Sequence, residues 1–142
     1  MTRTVAAKMG IKAGSRAHFV DAPDAVLATI DLPDLTVAAH LTGMFDYIHL
    51  FARSRGELDG TFPTLKAHLK PTGMLWVSWP KNRQLGTDLT LPEVIAIGYR
   101  HGLVESKTLS VDATWSALKF THPIEGKVYN NRYGKLPSQE LG

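Results

Sequence analysis

Two cationic side chains follow apolar segments of this 142-residue chain, where they could bind an anion. Arg53 and Ser54 follow the apolar run 45–51 after one alanine, and Lys81 follows Trp79 and Pro80 at the end of a second run. A guanidinium and an ammonium form charge-assisted hydrogen bonds, an indole supplies an apolar wall, and a helix start adds backbone N–H donors. These residues define a candidate site for a small anionic ligand. The competing interpretation is that Trp79 closes the core and the cations are solvated.

Acidic residues are expected near the same place. Asp112 and Trp115 flank a short turn, and an Asp beside a Trp could act as a general base with a raised pKa. The structural interpretation, which we favour, is that Asp112 caps the turn and Trp115 packs. Asp88 lies in a polar loop, while Asp21 and Pro23 follow the first apolar run. We include all five in the candidate site.

Histidines and serines offer two other chemistries. His18, His40 and His49 could fall on three neighbouring strands, and neutral imidazoles suit zinc. No pair of them has a ligand spacing typical of a helix or hairpin, so we predict hydrogen-bonded core histidines and no metal site. Ser78 and Ser116 lack a Gly-x-Ser-x-Gly context, so we predict no hydrolase nucleophile.

Composition narrows the class of protein. The chain has no cysteine, which excludes thiol catalysis, Cys-based zinc sites and a disulfide scaffold. Its longest strongly apolar run, 74–79, is far shorter than the roughly 20 residues of a membrane span. The basic residues Arg3 and Lys8 are not followed by the apolar segment of a secretory signal peptide, so we expect a cytoplasmic protein with no membrane partner.

The 16 basic and 13 acidic residues, a net charge of +3, are distributed in blocks. Residues 1–20 carry only basic charges, and residues 21–52 carry only acidic ones. Such blocks usually form solvated surface. The basic residues Lys8, Lys12 and Arg16 lack interleaved aromatics, so we do not expect a nucleic-acid partner.

Short extended runs alternate with helical spacing, which is typical of α/β layering. We predict strands at 17–20, 36–41, 45–51, 74–79, 103–111 and 115–120, the last two forming an antiparallel hairpin. The domain is expected to cover residues 1–121. A polar tail follows over 122–142, in which Tyr129 and Tyr133 could pack.

Three helical segments are predicted between these strands. The first covers residues 24–30. The second is a turn at 54–59, capped by Ser54, followed by a helix from about Thr61, because Pro63 is best tolerated in a first turn. The third begins at a capping box formed by Thr90 and Glu93 and ends at Gly102. These helices would cover the sheet.

The order of elements resembles a reduced class I methyltransferase-like fold. Residues 10–16 resemble the approach to the first strand of such enzymes, 45–50 their fourth strand, and 69–77 the turn into their fifth. The resemblance implies a Rossmann-like, doubly wound and mostly parallel sheet of about six strands with a C-terminal antiparallel hairpin. It also implies S-adenosylmethionine bound over a glycine-rich turn after the first strand.

The residues of that turn depart from the pattern. No glycine occurs from Ser15 to Thr42, and the turn reads Asp21-Ala22-Pro23-Asp24, in which Pro23 has no N–H to donate. The second strand ends in residues 40–42 rather than in the acid that usually holds the ribose. The spacing leaves no room for the usual third strand. We therefore predict a domain that uses no cofactor.

A second resemblance is closer. Four strings, 76–81, 87–90, 102–104 and 112–120, resemble an uncharacterised bacterial domain-of-unknown-function family, with Trp-Pro-Lys and Asp-x-x-Trp-Ser-x-Leu-Lys-Phe signatures. The resemblance covers about residues 8–121. It implies a fold and an important surface, but no reaction.

We therefore expect a methyltransferase-like domain that binds a small molecule or another protein and does not transfer methyl groups. It could form a homo-oligomer through an exposed sheet edge or the tail. The alternative is a transferase that binds S-adenosylmethionine or another nucleotide in a non-standard way.

Overall fold

Six strands form one sheet with helices on both faces, which confirms the predicted α/β class. The computed structural model describes residues 4–137. Its helices are α1 (Val5–Met9), α2 (Asp24–Ile30), α3 (Arg55–Ala67) and α4 (Leu91–Arg100), and an irregular loop covers Lys81–Gly86. Its strands are β1 (Arg16–Val20), β2 (Thr36–Val37), β3 (Phe45–Phe51), β4 (Leu69–Pro80), β5 (Val104–Ser110) and β6 (Trp115–Thr121).

The strand order is β2-β1-β3-β4-β6-β5. Neighbouring strands among β2, β1, β3 and β4 pair in parallel, whereas β6 is antiparallel to both β4 and β5. The chain moves outward from β1 to β2 and then returns to β3 on the other side of β1. This reversal is the point at which doubly wound sheets bind ligands, beyond the carboxyl ends of the strands. The predicted hairpin is confirmed.

Side chains on β3 alternate between two cores. Ile48 and Leu50 face α3 and α4, whereas Tyr47 and Phe51 face α1 and α2. Both sets are buried, as expected for a parallel strand covered on two faces. The sheet is therefore a fixed platform whose carboxyl-terminal edge holds the candidate residues.

Helix α4 crosses β6 at a glycine. A Cβ atom added to Gly98 would overlap the ring of Phe120. The absent side chain thus permits the close approach of helix and strand.

The second helix differs from its prediction. α3 is one continuous helix that begins at Arg55 and contains Pro63. Ser54 caps it as predicted, since its hydroxyl accepts a hydrogen bond from the Glu57 N–H at 3.1 Å. The prediction of a separate turn was wrong because burial of Leu58 and Phe62 against the sheet stabilises the whole helix. That packing outweighs the single hydrogen bond lost at the proline.

Two strands also differ in length from their predictions. β2 covers only Thr36–Val37, because the Ala38 carbonyl pairs with Nδ1 of His18 at 2.9 Å instead of extending the sheet. β4 begins at Leu69, which pairs with Phe45 before an irregularity in the register. The turn predicted after residue 69 is thus the start of the strand.

The capping box predicted for α4 forms only in part. Thr90 is the N-cap, but its side chain makes no capping hydrogen bond. Glu93 instead forms an ion pair with Arg55, at 3.2 Å.

Part of the segment 122–137 lies against the domain, although residues 124–128 are exposed. Leu136 is buried in the core beside α3 and α4, and Tyr129 packs on its edge, whereas Tyr133 is exposed. Among residues 4–137, no helix is long and apolar enough to cross a membrane.

Candidate functional site at the carboxyl-terminal edge of the sheet

The turn after β1 carries two carboxylates. Asp21 is exposed and adopts a left-handed conformation with φ of 55°. Pro23 is the N-cap of α2 and makes no side-chain capping bond, and Asp24 occupies the first turn. The acid stabilises the positive end of this short helix. The turn therefore presents negative charge to any ligand.

The start of α3, predicted to supply donors for an anion, is closed by a carboxylate of the chain itself. Asp88 accepts a hydrogen bond from the Arg55 N–H at 2.8 Å. This bond is the main reason that the pKa of Asp88 is lowered. Together with the Ser54 hydroxyl on Glu57, it satisfies donors that a helix start otherwise leaves free.

Arg53 lies over the indole of Trp115, with its guanidinium carbon 5.7 Å from the ring centroid. Trp115 is buried and packs edge-on against Phe51 at 5.3 Å. Asp112 accepts hydrogen bonds from the N–H groups of Thr114 and Trp115 at 2.8 and 2.7 Å. This geometry supports the turn-capping interpretation of Asp112.

Trp79 and Trp115 lie on opposite faces of the sheet. Trp79 belongs to the core under α3 and α4, and Trp115 to the core under α1 and α2. The candidate residues therefore lie on two faces of one sheet edge. Lys81 is nevertheless joined to the hairpin turn of Asp112 and Trp115, because its backbone N–H donates a hydrogen bond to the Thr114 carbonyl at 2.7 Å.

Trp79 walls a cavity of about 310 Å³ beside the hairpin. Its polar lining comes from Thr108 and Ser110 on β5 and Ser116 on β6. Lys81 reaches this lining, because its Nζ donates a hydrogen bond to Oγ of Ser110. We call this space the hairpin cavity.

The three hydroxyl residues of the hairpin cavity were not predicted from the sequence. Thr108 and Ser110 are two positions apart on β5, and Ser110 pairs with Ser116 across the hairpin. The period-two spacing of hydroxyls on a strand is the signal that could have found them. Their apposition to Trp79 depends on the strand order, which the sequence does not state.

The loop after β4 is conformationally unusual. Asn82, Arg83 and Leu85 all adopt positive φ values, between 53° and 57°. The loop is tied to the hairpin turn, because Gln84 donates a hydrogen bond from Nε2 to the Ala113 carbonyl at 3.1 Å. Left-handed non-glycine residues are costly, and they often occur where a loop serves a binding site.

A buried polar chain crosses from β3 to β4. The hydroxyl of Tyr47 and Nδ1 of His49 are 2.7 Å apart, and Nε2 of His49 and Oγ of Ser78 are also 2.7 Å apart. The His49 ring stacks on Phe51 with centroids 4.3 Å apart. Burial lowers the pKa of His49 to about 3 and raises that of Tyr47.

His49 and Ser78 are thus core residues with no exposed surface. His18 lies on the other face of the sheet, against Phe45, and His40 is exposed. Among the described residues, no three His, Asp or Glu side chains are grouped so that they could hold a metal ion.

The fold of this chain is similar to that of methyltransferases. A ribosomal protein L11 methylase from Lactobacillus delbrueckii subsp. bulgaricus is 13% identical with a TM-score of 0.54, covering 83% of this chain and 77% of that one. The N-methyltransferase NodS from Bradyrhizobium japonicum WM9 is 16% identical with a TM-score of 0.53, covering 84% and 91%. A methyltransferase from Pyrococcus furiosus is 13% identical with a TM-score of 0.55, covering 84% and 81%.

No protein-family model and no curated protein matches this chain. The structural similarity, at these low identities, establishes the methyltransferase-like α/β fold, as predicted, and nothing about activity.

Proposed function

We propose that this protein is a methyltransferase-like domain that binds a small anionic molecule in the hairpin cavity and does not transfer methyl groups. The observation that carries the proposal is the ammonium of Lys81, held on Ser110 at the rim of a cavity walled by Trp79. The proposed site lies beside β5 and β6, whereas methyltransferases of this fold bind their donor at the turn after the first strand.

The lining of the hairpin cavity suits an anion with a small apolar part. The hydroxyls of Thr108 and Ser116 and the ammonium of Lys81 can donate hydrogen bonds to a carboxylate or phosphate, whereas the Ser110 hydroxyl donates to the Asp112 carbonyl. The indole of Trp79 and the side chain of Leu91 provide apolar contact. A volume of about 310 Å³ lies at the lower end of the range for small-molecule sites.

The turn after β1 does not fit S-adenosylmethionine. Methyltransferases of this fold bring glycine backbone close to the donor, but here Asp21, Ala22 and Asp24 carry side chains and Pro23 has no N–H. The two carboxylates would repel the carboxylate of the donor's methionyl part. These features support a domain without methyl transfer.

The alternative transferase, with S-adenosylmethionine or another nucleotide bound in a non-standard way, rests on fold similarity alone. Resemblance to the uncharacterised bacterial family is consistent with the main proposal, because it implies no reaction. Membership of that family, a cytoplasmic location and homo-oligomers stay predictions.

Thermal unfolding of the full chain with inorganic phosphate, acetate and benzoate tests the proposal. A ligand at about 100 times its dissociation constant adds about 2.7 kcal/mol to the free energy of unfolding, which raises the midpoint of such a domain by several degrees. We expect at least one anion to give a saturable rise. The Lys81→Gln variant should bind it about tenfold more weakly, because a charge-assisted hydrogen bond is lost.

The matched control is Lys12→Gln, which removes the same charge from an exposed position far along the chain from the cavity. Its binding should equal that of the wild type. If no anion raises the midpoint, or if Lys81→Gln binds as well as Lys12→Gln, the proposal is wrong.

A further inference from the structure

The tail forms a second and larger cavity, separate from the hairpin cavity. It has a volume of about 820 Å³ and lies between α4 and residues 129–135. We call it the tail cavity. Its volume falls within the usual range for small-molecule sites.

Three contacts fix the tail in place around this space. Leu136 is 6% exposed and belongs to the core. Asn131 donates a hydrogen bond from Nδ2 to Oε1 of Glu105 at 2.8 Å. Gly134 passes so close to Tyr99 that an added Cβ would lie 2.8 Å from the Tyr99 side chain. The cavity wall is thus built by packing and hydrogen bonding, which orders it before a ligand arrives.

The lining of the tail cavity is positively charged. It includes Arg100, Arg132 and Lys135, and no residue of the lining is acidic. Arg100 is partly neutralised by Asp59, at 2.9 Å. Among residues 4–137, no carboxylate forms an ion pair with Arg132 or Lys135. Within the part of the chain that the structure describes, these two cations therefore have no acidic partner and can face a ligand.

Aromatic rings stand beside these cations. Tyr129 and Tyr133 both line the cavity, and Tyr133 is 42% exposed. The guanidinium carbon of Arg132 lies 5.3 Å from the Tyr133 ring centroid. The amide of Asn130 adds a hydrogen-bonding group. Cations next to an exposed ring match a ligand that joins a phosphate to a planar ring.

We propose that the tail cavity binds a compound in which a phosphate is joined to a planar ring, such as a nucleotide. Arg132 and Lys135 contact the phosphate, and the ring stacks on Tyr133. The same chemistry is offered by a free nucleotide and by a single-stranded nucleic acid, and the two sources are separated by experiment.

Calorimetric titration of the full chain with adenosine monophosphate, adenosine, inorganic phosphate and a short single-stranded oligonucleotide tests the proposal. We expect adenosine monophosphate to bind more tightly than adenosine or phosphate alone, because only it offers both groups. A monophosphate that binds at least as tightly as the oligonucleotide indicates the free nucleotide. Tighter binding of the oligonucleotide indicates the nucleic acid.

Three variants assign the binding to the tail cavity. The double variant Arg132→Gln with Lys135→Gln should weaken binding at least tenfold, because two charge-assisted contacts are lost. Tyr133→Leu should weaken binding of the monophosphate roughly tenfold and leave phosphate binding unchanged, while Tyr133→Phe, which keeps the ring, should bind as the wild type does.

Lys81→Gln is the control for the hairpin cavity and should not alter nucleotide binding. The proposal is overturned if neither the monophosphate nor the oligonucleotide binds, or if binding survives in the double variant. It is also overturned if, in the Lys81→Gln variant, phosphate alone binds as tightly as the monophosphate. Loss of binding in Lys81→Gln alone would move the ligand to the hairpin cavity.

Discussion

Acid should destabilise this protein through one buried imidazole. Burial lowers the pKa of His49 to about 3, whereas an imidazole in an unfolded chain titrates near about 6.5. Because the folded-state pKa is the lower one, protons bind preferentially to the unfolded chain as the pH falls. The stability that His49 contributes is complete above about pH 6.5 and is lost as the pH falls towards 3.

The size of this effect follows from the two pKa values. Each pH unit inside the window costs up to about 1.4 kcal/mol. Lowering the pH from about 7.5 to 4.5 should therefore reduce the free energy of unfolding by about 2.7 kcal/mol through His49 alone. The carboxylates whose pKa the fold lowers, Asp46, Asp59 and Asp88, lose their contribution as the pH falls below the ordinary aspartate pKa of 3.8, outside this range.

Urea unfolding at a series of pH values measures the effect. His49→Gln keeps a donor and an acceptor for its two partners but does not titrate, so its free energy of unfolding should vary much less over this range. Ser78→Ala breaks one hydrogen bond and keeps the imidazole, so it should retain the steep pH dependence even though it is less stable. Parallel curves for the wild type and His49→Gln would refute the reasoning.

Substitutions at four further positions test the packing and the capping by urea unfolding. Gly98→Ala should lower the free energy of unfolding by about 1–3 kcal/mol, because the new methyl group overlaps Phe120. Gly60→Ala, in a helix position with open space, should raise it by up to about 1 kcal/mol, and equal effects at the two glycines would contradict this packing. Ser54→Ala should cost about 1 kcal/mol and Ser54→Asp should restore most of it, whereas an unchanged Ser54→Ala would mean that the cap contributes nothing. Asp112→Ala should cost about 1–3 kcal/mol because two N–H groups lose their acceptor, and loss of ligand binding without loss of stability would contradict its role in the turn.

The sequence predicted those elements whose signal is local. The strand at residues 45–51 and the C-terminal hairpin have apolar patterns that need no distant partner to be recognised. The preference of proline for the first turn of a helix gave the wrong helix start near Pro63. The start of α3 is determined by its packing on the sheet, and that packing depends on strands that are distant in sequence.

The candidate site shows the same division. Lys81 and Trp79 were identified from their position after an apolar run, and the structure places both beside the hairpin cavity. Ser110 and Ser116 were missed because the register between β4, β6 and β5 brings them there. The hydrogen bond from the Arg55 N–H, at the start of α3, to the Asp88 carboxylate likewise joins segments that are far apart in the chain. The position of a single residue at a strand end is thus predictable, but its partners across the sheet are not.

Titration of S-adenosylmethionine into the full chain, followed by the midpoint of thermal unfolding, tests the central claim most directly. The acidic, proline-containing turn at residues 21–24 predicts no saturable change in the midpoint with the methyl donor or its demethylated product. A saturable rise of several degrees, as expected for a ligand well above its dissociation constant, would contradict the account and favour the transferase.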